Sequence, residues 1–156
     1  MSSRKPKNKS DELAPIYDLD NHSAHLLRRV HQRATLVFQE ELEGDSITPM
    51  QFSVLGTLLA HGPLSQNLLG RMTAMDPSTV SLVVRALVKR KLTTKKPSRE
   101  DNRMLQIELT PEGEAFTLAR LHKSDLVSKR LLEPLSSGEA AIFKELLKKL
   151  ALHPEK

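Results

Sequence analysis

From Asp20 to Leu42 the apolar residues Leu26, Leu27, Val30, Ala34, Val37, Phe38 and Leu42 recur at three- and four-residue intervals with no breaker among them. That period predicts one long amphipathic helix ended by Gly44. Thr48, Pro49 and Gln51 then form a start signal: threonine caps, proline opens, and glutamine reaches back to complete the box. Phe52, Leu55, Leu58 and Leu59 follow as the buried face of a second helix, which His61, Gly62 and Pro63 stop. Ser65 is placed to cap a short third helix carrying Leu68, Leu69 and Met72.

The next segment is the most informative. Val80, Val83, Val84, Leu87 and Val88 form an apolar stripe at helical spacing, and Ser78, Thr79, Ser81, Arg85, Lys89 and Arg90 occupy the other side. Asp76 suits the N-cap and Pro77 the first helical position, so Ser78 and Thr79 should project from the helix start beside free backbone N–H groups. After Leu92 the period shifts towards alternation: 93–96 and 104–109 read as two strands joined by a charged tip. Thr110, Pro111 and Glu112 start a helix expected to run through Ala115, Phe116, Ala119, Leu126 and Leu131 until Pro134. Ser136 and Glu139 make a capping box for a last helix with the stripe Ile142, Phe143, Leu146, Leu147 and Leu150.

The expected fold is mainly α with a small β-hairpin wing. A winged helix-turn-helix lobe at 48–110 is flanked by an N-terminal dimerisation helix at 16–47 and C-terminal dimerisation helices at 111–156, behind a flexible basic tail at 1–15. Three helices with a tight link between the last two are a DNA-reading arrangement. Terminal helices with wide apolar faces leave surface that a two-fold dimer would bury.

Charge sharpens this picture. Eight cations lie between Val84 and Arg103 against two acids, a local +6, and the tail before Ser10 adds four more; the rest of the chain sums to −5. A basic face on a slightly acidic body fits a polyanionic partner. The chain has no cysteine, which excludes disulfides and thiolate metal sites. It carries no bilayer-length apolar run, so the expected location is the cytoplasm, with no membrane partner. His22 and His25 stand three apart, a weak metal signal without a confirmed carboxylate or thiol nearby, and no metal or cofactor is expected. No nucleophile with an adjacent base, phosphate loop or paired catalytic carboxylates emerge, so an enzyme is not expected.

Several segments together resemble the MarR family of bacterial winged helix-turn-helix regulators. They are Thr48-Pro49-Met50-Gln51-Phe52, Ser78-Thr79-Val80-Ser81, Arg85-Ala86-Leu87 with Lys91-Leu92, and Asp101-Asn102-Arg103 followed by Leu109-Thr110-Pro111-Glu112-Gly113. Lys91 departs from the pattern, since many members close the recognition helix with glycine; another C-cap conformation is expected here. The resemblance implies a homodimer on a near-palindromic double-stranded DNA operator. Its recognition helix would use Pro77, Ser78, Thr79, Ser81 and Arg85, and its wing Lys95, Lys96, Arg99, Asp101 and Arg103. Arg103 would enter the minor groove with Asp101 orienting its guanidinium, while Lys95 and Lys96 would contact phosphates.

The family also holds small ligands, often anionic aromatics, between the dimer helices and the DNA-binding lobe. His25, Arg28, Arg29 and Arg33 on the first helix, with Met50 and Phe52 on the second, offer cations beside apolar walls. The same arginines also suit a solvated or intersubunit face. The segments from Ile16 to His22 and from Leu26 to Arg33 are similar to a branch of the family controlling degradation of aromatic and hydroxycinnamic acids. The expected inducer is an aromatic acid or its coenzyme A thioester, the thioester preferred because the extra cations suit phosphates. The expected function is a ligand-released repressor. Alternatives of another kind are a helical interaction module and a sequence-indifferent nucleoid binder.

Overall fold

The computed structural model describes residues 18–98 and 104–153. A 3-10 turn at Leu19–Asn21 precedes α1 (Ser23–Glu41), then α2 (Pro49–His61), β1 (Leu64–Ser65), α3 (Gln66–Met72), α4 (Pro77–Lys89), β2 (Thr93–Pro97), β3 (Leu105–Leu109), α5 (Pro111–Leu118), α6 (Leu121–Leu132) and α7 (Ser137–Ala151). The tail at 1–15 and the wing-tip residues Arg99, Asp101 and Arg103 lie outside the described residues.

Local chemistry sets most helix starts. The Thr48 hydroxyl accepts from Gln51 N–H while the Gln51 side chain accepts from Thr48 N–H, closing the box that fixes α2. Ser136 and Glu139 do the same for α7, and the hydroxyls of Ser65 and Thr110 cap α3 and α5.

The sheet is a three-stranded antiparallel ribbon in the order β1-β3-β2, with Leu64 opposite Ile107 and Lys95 opposite Ile107 on its other edge. The two-residue β1 was not expected from the sequence, because its pairing partner lies more than 40 residues away. The core sits where α2, α3, α4 and the sheet meet, at Val54, Leu55, Leu69, Val80, Val84, Leu87 and Ile107, all essentially inaccessible to solvent. Phe38 of α1 joins it by an edge-on contact with Phe52, 6.0 Å between ring centres.

Four expectations are corrected. The helix expected from Thr110 to Pro134 is two helices broken at Ala119–Arg120. Thr117 donates back to Gly113 O at 2.7 Å, and the Arg120 guanidinium occupies Phe116 O at 3.0 Å, two contacts that turn the backbone. Val88, placed in the apolar stripe, is 37% exposed, so the buried stripe is Val80, Val83, Val84 and Leu87.

Arg90, placed on the outer polar side, instead turns inward. Its guanidinium donates to Ser46 O at 2.7 Å and Asp45 O at 3.2 Å, and lies 5.4 Å from the Phe116 ring centre. Lys91, finally, adopts the left-handed conformation that a glycine would, at φ 60°. Leu92 N–H donates to Leu87 O and Lys91 N–H to Val88 O, a Schellman closure made with a lysine at the position that favours glycine.

α1 packs along α6. Arg130 ties them by donating to Glu41 Oε1 and Glu40 Oε2 at 2.6 Å each. A second cluster pins the α1–α2 loop to α6: Asp45 accepts from Arg120 at 2.6 Å and from Lys123 at 2.8 Å. Arg120 also stacks 3.7 Å from the Phe116 ring centre, so two guanidiniums lie against that ring. Among the described residues, no helix is long and apolar enough to cross a membrane.

Candidate nucleic-acid interface

The outward face of α4 starts from its cap. Asp76 Oδ1 accepts from Ser78 N–H and Thr79 N–H at 2.9 Å each, and the two hydroxyls also donate to its carboxylate. These bonds, those from the Ser78 and Thr79 side chains foremost, hold the Asp76 carboxyl far below the usual carboxylate range. The expectation of free N–H groups beside Ser78 and Thr79 is therefore corrected: Asp76 occupies them. With their protons committed to Asp76, both hydroxyls keep only lone pairs to offer, which suit amino groups on adenine or cytosine edges.

Pro77, Ser78, Arg85 and Lys89 are exposed, whereas Thr79 and Ser81 are half-buried at the margins of the face. At 100° per residue the face centres near Leu82 and Lys89, with Ser78, Arg85 and Ala86 around them. Sequence reasoning passed over Leu82, which is 61% exposed. Its neighbours on the outward face were the signal: an apolar residue one turn from Ser78 and three before Arg85 cannot share the stripe of Val80, Val84 and Leu87.

In the wing ribbon, alternation puts Lys95 and Lys96 on opposite faces. Lys96 is ion-paired with Glu108 across the ladder. Lys95 bonds the neutral amide oxygen of Gln66 at 3.4 Å, which leaves its charge uncompensated by that partner.

The residues considered for a ligand do not gather into one hollow. Arg28 and Arg29 are exposed on α1 and His25 is half-buried. Arg33 lines an apolar hollow of about 250 Å³ with Val30, Leu131, Leu132, Pro134, Leu135 and Phe143. Met50 is 48% exposed, while Phe52 is 7% exposed and belongs to the core. Phe52 also lines a different hollow, of about 570 Å³, between α2, the Met72–Ala74 turn and the start of α6. Its walls combine Gly56, Ala60, Met72 and Leu121 with the polar groups of Ser53, Thr57, His61, Thr73 and Ser124. The turn it touches contains Ala74 in a left-handed conformation, φ 52°, two residues before the cap of α4.

Comparison with known proteins agrees with this architecture. A sequence model described as MarR family matches residues 45–104. The HTH-type transcriptional repressor NicR of Pseudomonas putida is 34% identical over 134 residues, which cover 86% of this chain and 85% of that protein. The crystal structure of a probable transcriptional regulator from Pseudomonas aeruginosa shares 36% identity, with a TM-score of 0.80 over 85% of this chain and 99% of that one. The structure of Bordetella bronchiseptica BpsR, whose DNA binding is regulated by 6-hydroxynicotinic acid, shares 29% identity with a TM-score of 0.84 over 88% of this chain and 99% of that one. A capped helix with a polar outward face, a hairpin wing beside it, and relatives of this identity and coverage establish that the chain belongs to the MarR family of winged helix-turn-helix transcriptional regulators.

Proposed function

We propose that the chain is a ligand-responsive repressor that binds a near-palindromic operator as a homodimer. The observation that carries this reading is the position of its unburied apolar surface. Leu26 and Leu27 on α1 are each 43% exposed, and Ile142, Leu146 and Leu150 on α7 are 62%, 51% and 67% exposed. A wide apolar face on the terminal helices is what a second copy would cover. Two reading helices then meet successive major-groove segments. Arg103, oriented by Asp101, enters the adjacent minor groove, and Arg99 reaches the same region from the wing tip. Lys95 is better suited to phosphate contact than Lys96, whose charge Glu108 offsets.

The inducer is a small hydroxylated aromatic or heteroaromatic acid, seated in the hollow beside Phe52. Apolar walls take the ring and the hydroxyls and His61 take its polar edge. BpsR, whose DNA binding is regulated by 6-hydroxynicotinic acid, supports a free acid over the thioester, and NicR, named as a repressor, supports repression. A ligand touching the Met72–Ala74 turn acts on the cap of α4. It lowers DNA affinity only as far as it prefers the conformation in which the two reading helices no longer match the groove.

The test uses a duplex enriched by this protein from a random library and follows its release by fluorescence anisotropy. 6-Hydroxynicotinic acid, hydroxybenzoic acids and their coenzyme A thioesters are titrated in turn. Release by a free acid at concentrations where the matching thioester is inert is expected; retention of DNA throughout contradicts ligand control. Arg103→Ala should weaken binding to the same duplex by about 1–3 kcal/mol, as loss of a base-reading arginine does; unchanged affinity removes the wing from the mechanism.

A further inference from the structure

We propose that Leu82 is a specificity-determining residue that reads a thymine methyl group in the major groove; this rests on α4 acting as the recognition helix. The side chain is 61% exposed near the centre of the outward face of α4. It stands one turn after Ser78 and one turn before Ala86, beside Arg85 and in line with Lys89 two turns on. Other strongly exposed aliphatics, such as Ile142, Leu146 and Leu150, belong to α7 and to the face assigned above to a second copy. Leu82 belongs to no such face: its own helix packs inward on α2, α3 and β2.

A leucine held among hydroxyls and cations is poorly hydrated in the free protein, and contact with another apolar group relieves this. Of the groups displayed in the major groove, the C5 methyl of thymine is the apolar one. The polar groups around it suit other partners. Ser78 and Thr79 have committed their hydroxyl protons to Asp76 and keep lone pairs for amino groups. Arg85 and Lys89 suit guanine acceptors and phosphates. Leu82 is the large exposed apolar group of the face, whereas Ala86 and the Thr79 methyl are smaller and half-buried.

The experiment takes a duplex enriched by the full chain and replaces its thymines one at a time with deoxyuridine, which removes only the methyl. Wild type is compared with Leu82→Ala and with Leu82→Gln, both expected to keep the wild-type melting temperature because the site is exposed. One position in each half-site should weaken wild type about fourfold, the weight of one buried methyl, and should leave both variants unaffected. Indifference of wild type to every replacement overturns the inference, and so does an equal loss in Leu82→Ala. Failure to enrich any duplex overturns it together with the reading of α4, and is recognised by the absence of any bound probe.

Discussion

Two aspartates show how single carboxylates organise this molecule. Asp76 accepts four hydrogen bonds at the start of α4 and so fixes the hydroxyls of its first turn. This was half legible in the sequence: the Asp-Pro cap is a local signal, whereas the capture of both hydroxyl protons depends on side-chain rotamers that spacing does not specify. Asp45 was not legible, because its partners Arg120 and Lys123 lie 75 and 78 residues away. Its side chain is 11% exposed, and the Arg120 hydrogen bond, then that of Lys123, hold its carboxyl below the usual range. A carboxylate lowered in the folded state stabilises the fold above its unfolded pKa, near 3.9, and the benefit is lost as pH falls through the lower folded value. Asp45→Asn should therefore cost about 1 kcal/mol near neutrality, a modest figure because both cations reach solvent. The gap in melting temperature from wild type should narrow as pH falls below the unfolded carboxylate value and through the lower folded one, and a gap independent of pH would contradict the ionic account.

At the scale of elements, caps and breakers were read correctly wherever a few neighbouring residues decide the outcome, as at Thr48, Ser65, Thr110 and Ser136. The break between α5 and α6 escaped notice because Arg120 is recruited by Phe116 O and by the distant Asp45, and the apolar period continues across it. Arg90 was misplaced for the same reason, its partners being Asp45, Ser46 and Phe116. Lys91 holds the left-handed residue of the Schellman closure. Lys91→Gly should raise stability by about 1 kcal/mol, measured by denaturant unfolding, since a non-glycine residue pays roughly that in this conformation. A loss of stability would show that the lysine side chain compensates by contacts of its own. Gly113 is the opposite case. A Cβ there would meet Leu92 O at 1.8 Å, where the backbone following α4 passes over the start of α5. Gly113→Ala should cost about 4 kcal/mol or leave no cooperative unfolding transition; a calorimetric profile like wild type would contradict that close approach.

For the whole molecule, hydrophobic periodicity revealed the order of helices and hairpin, since each element buries one face. It could not say which terminal faces stay open. Leu26, Ile142 and Leu150 obey the same spacing as the core residues Val84 and Leu87, and only the assembled chain separates the two groups. The hollow proposed for the ligand was the least legible part. Cations on α1 and apolar residues on α2 were grouped by chemistry, yet Arg33 and Phe52 line separate hollows. The account depends on two copies presenting paired reading helices to one duplex. The most direct test is selection from random duplexes, followed by sedimentation of the protein with the enriched sequence. The account predicts an inverted repeat with half-sites about one helical turn apart, bound by two chains. Enrichment of a single unrepeated site, or a complex of one chain per duplex, would contradict it.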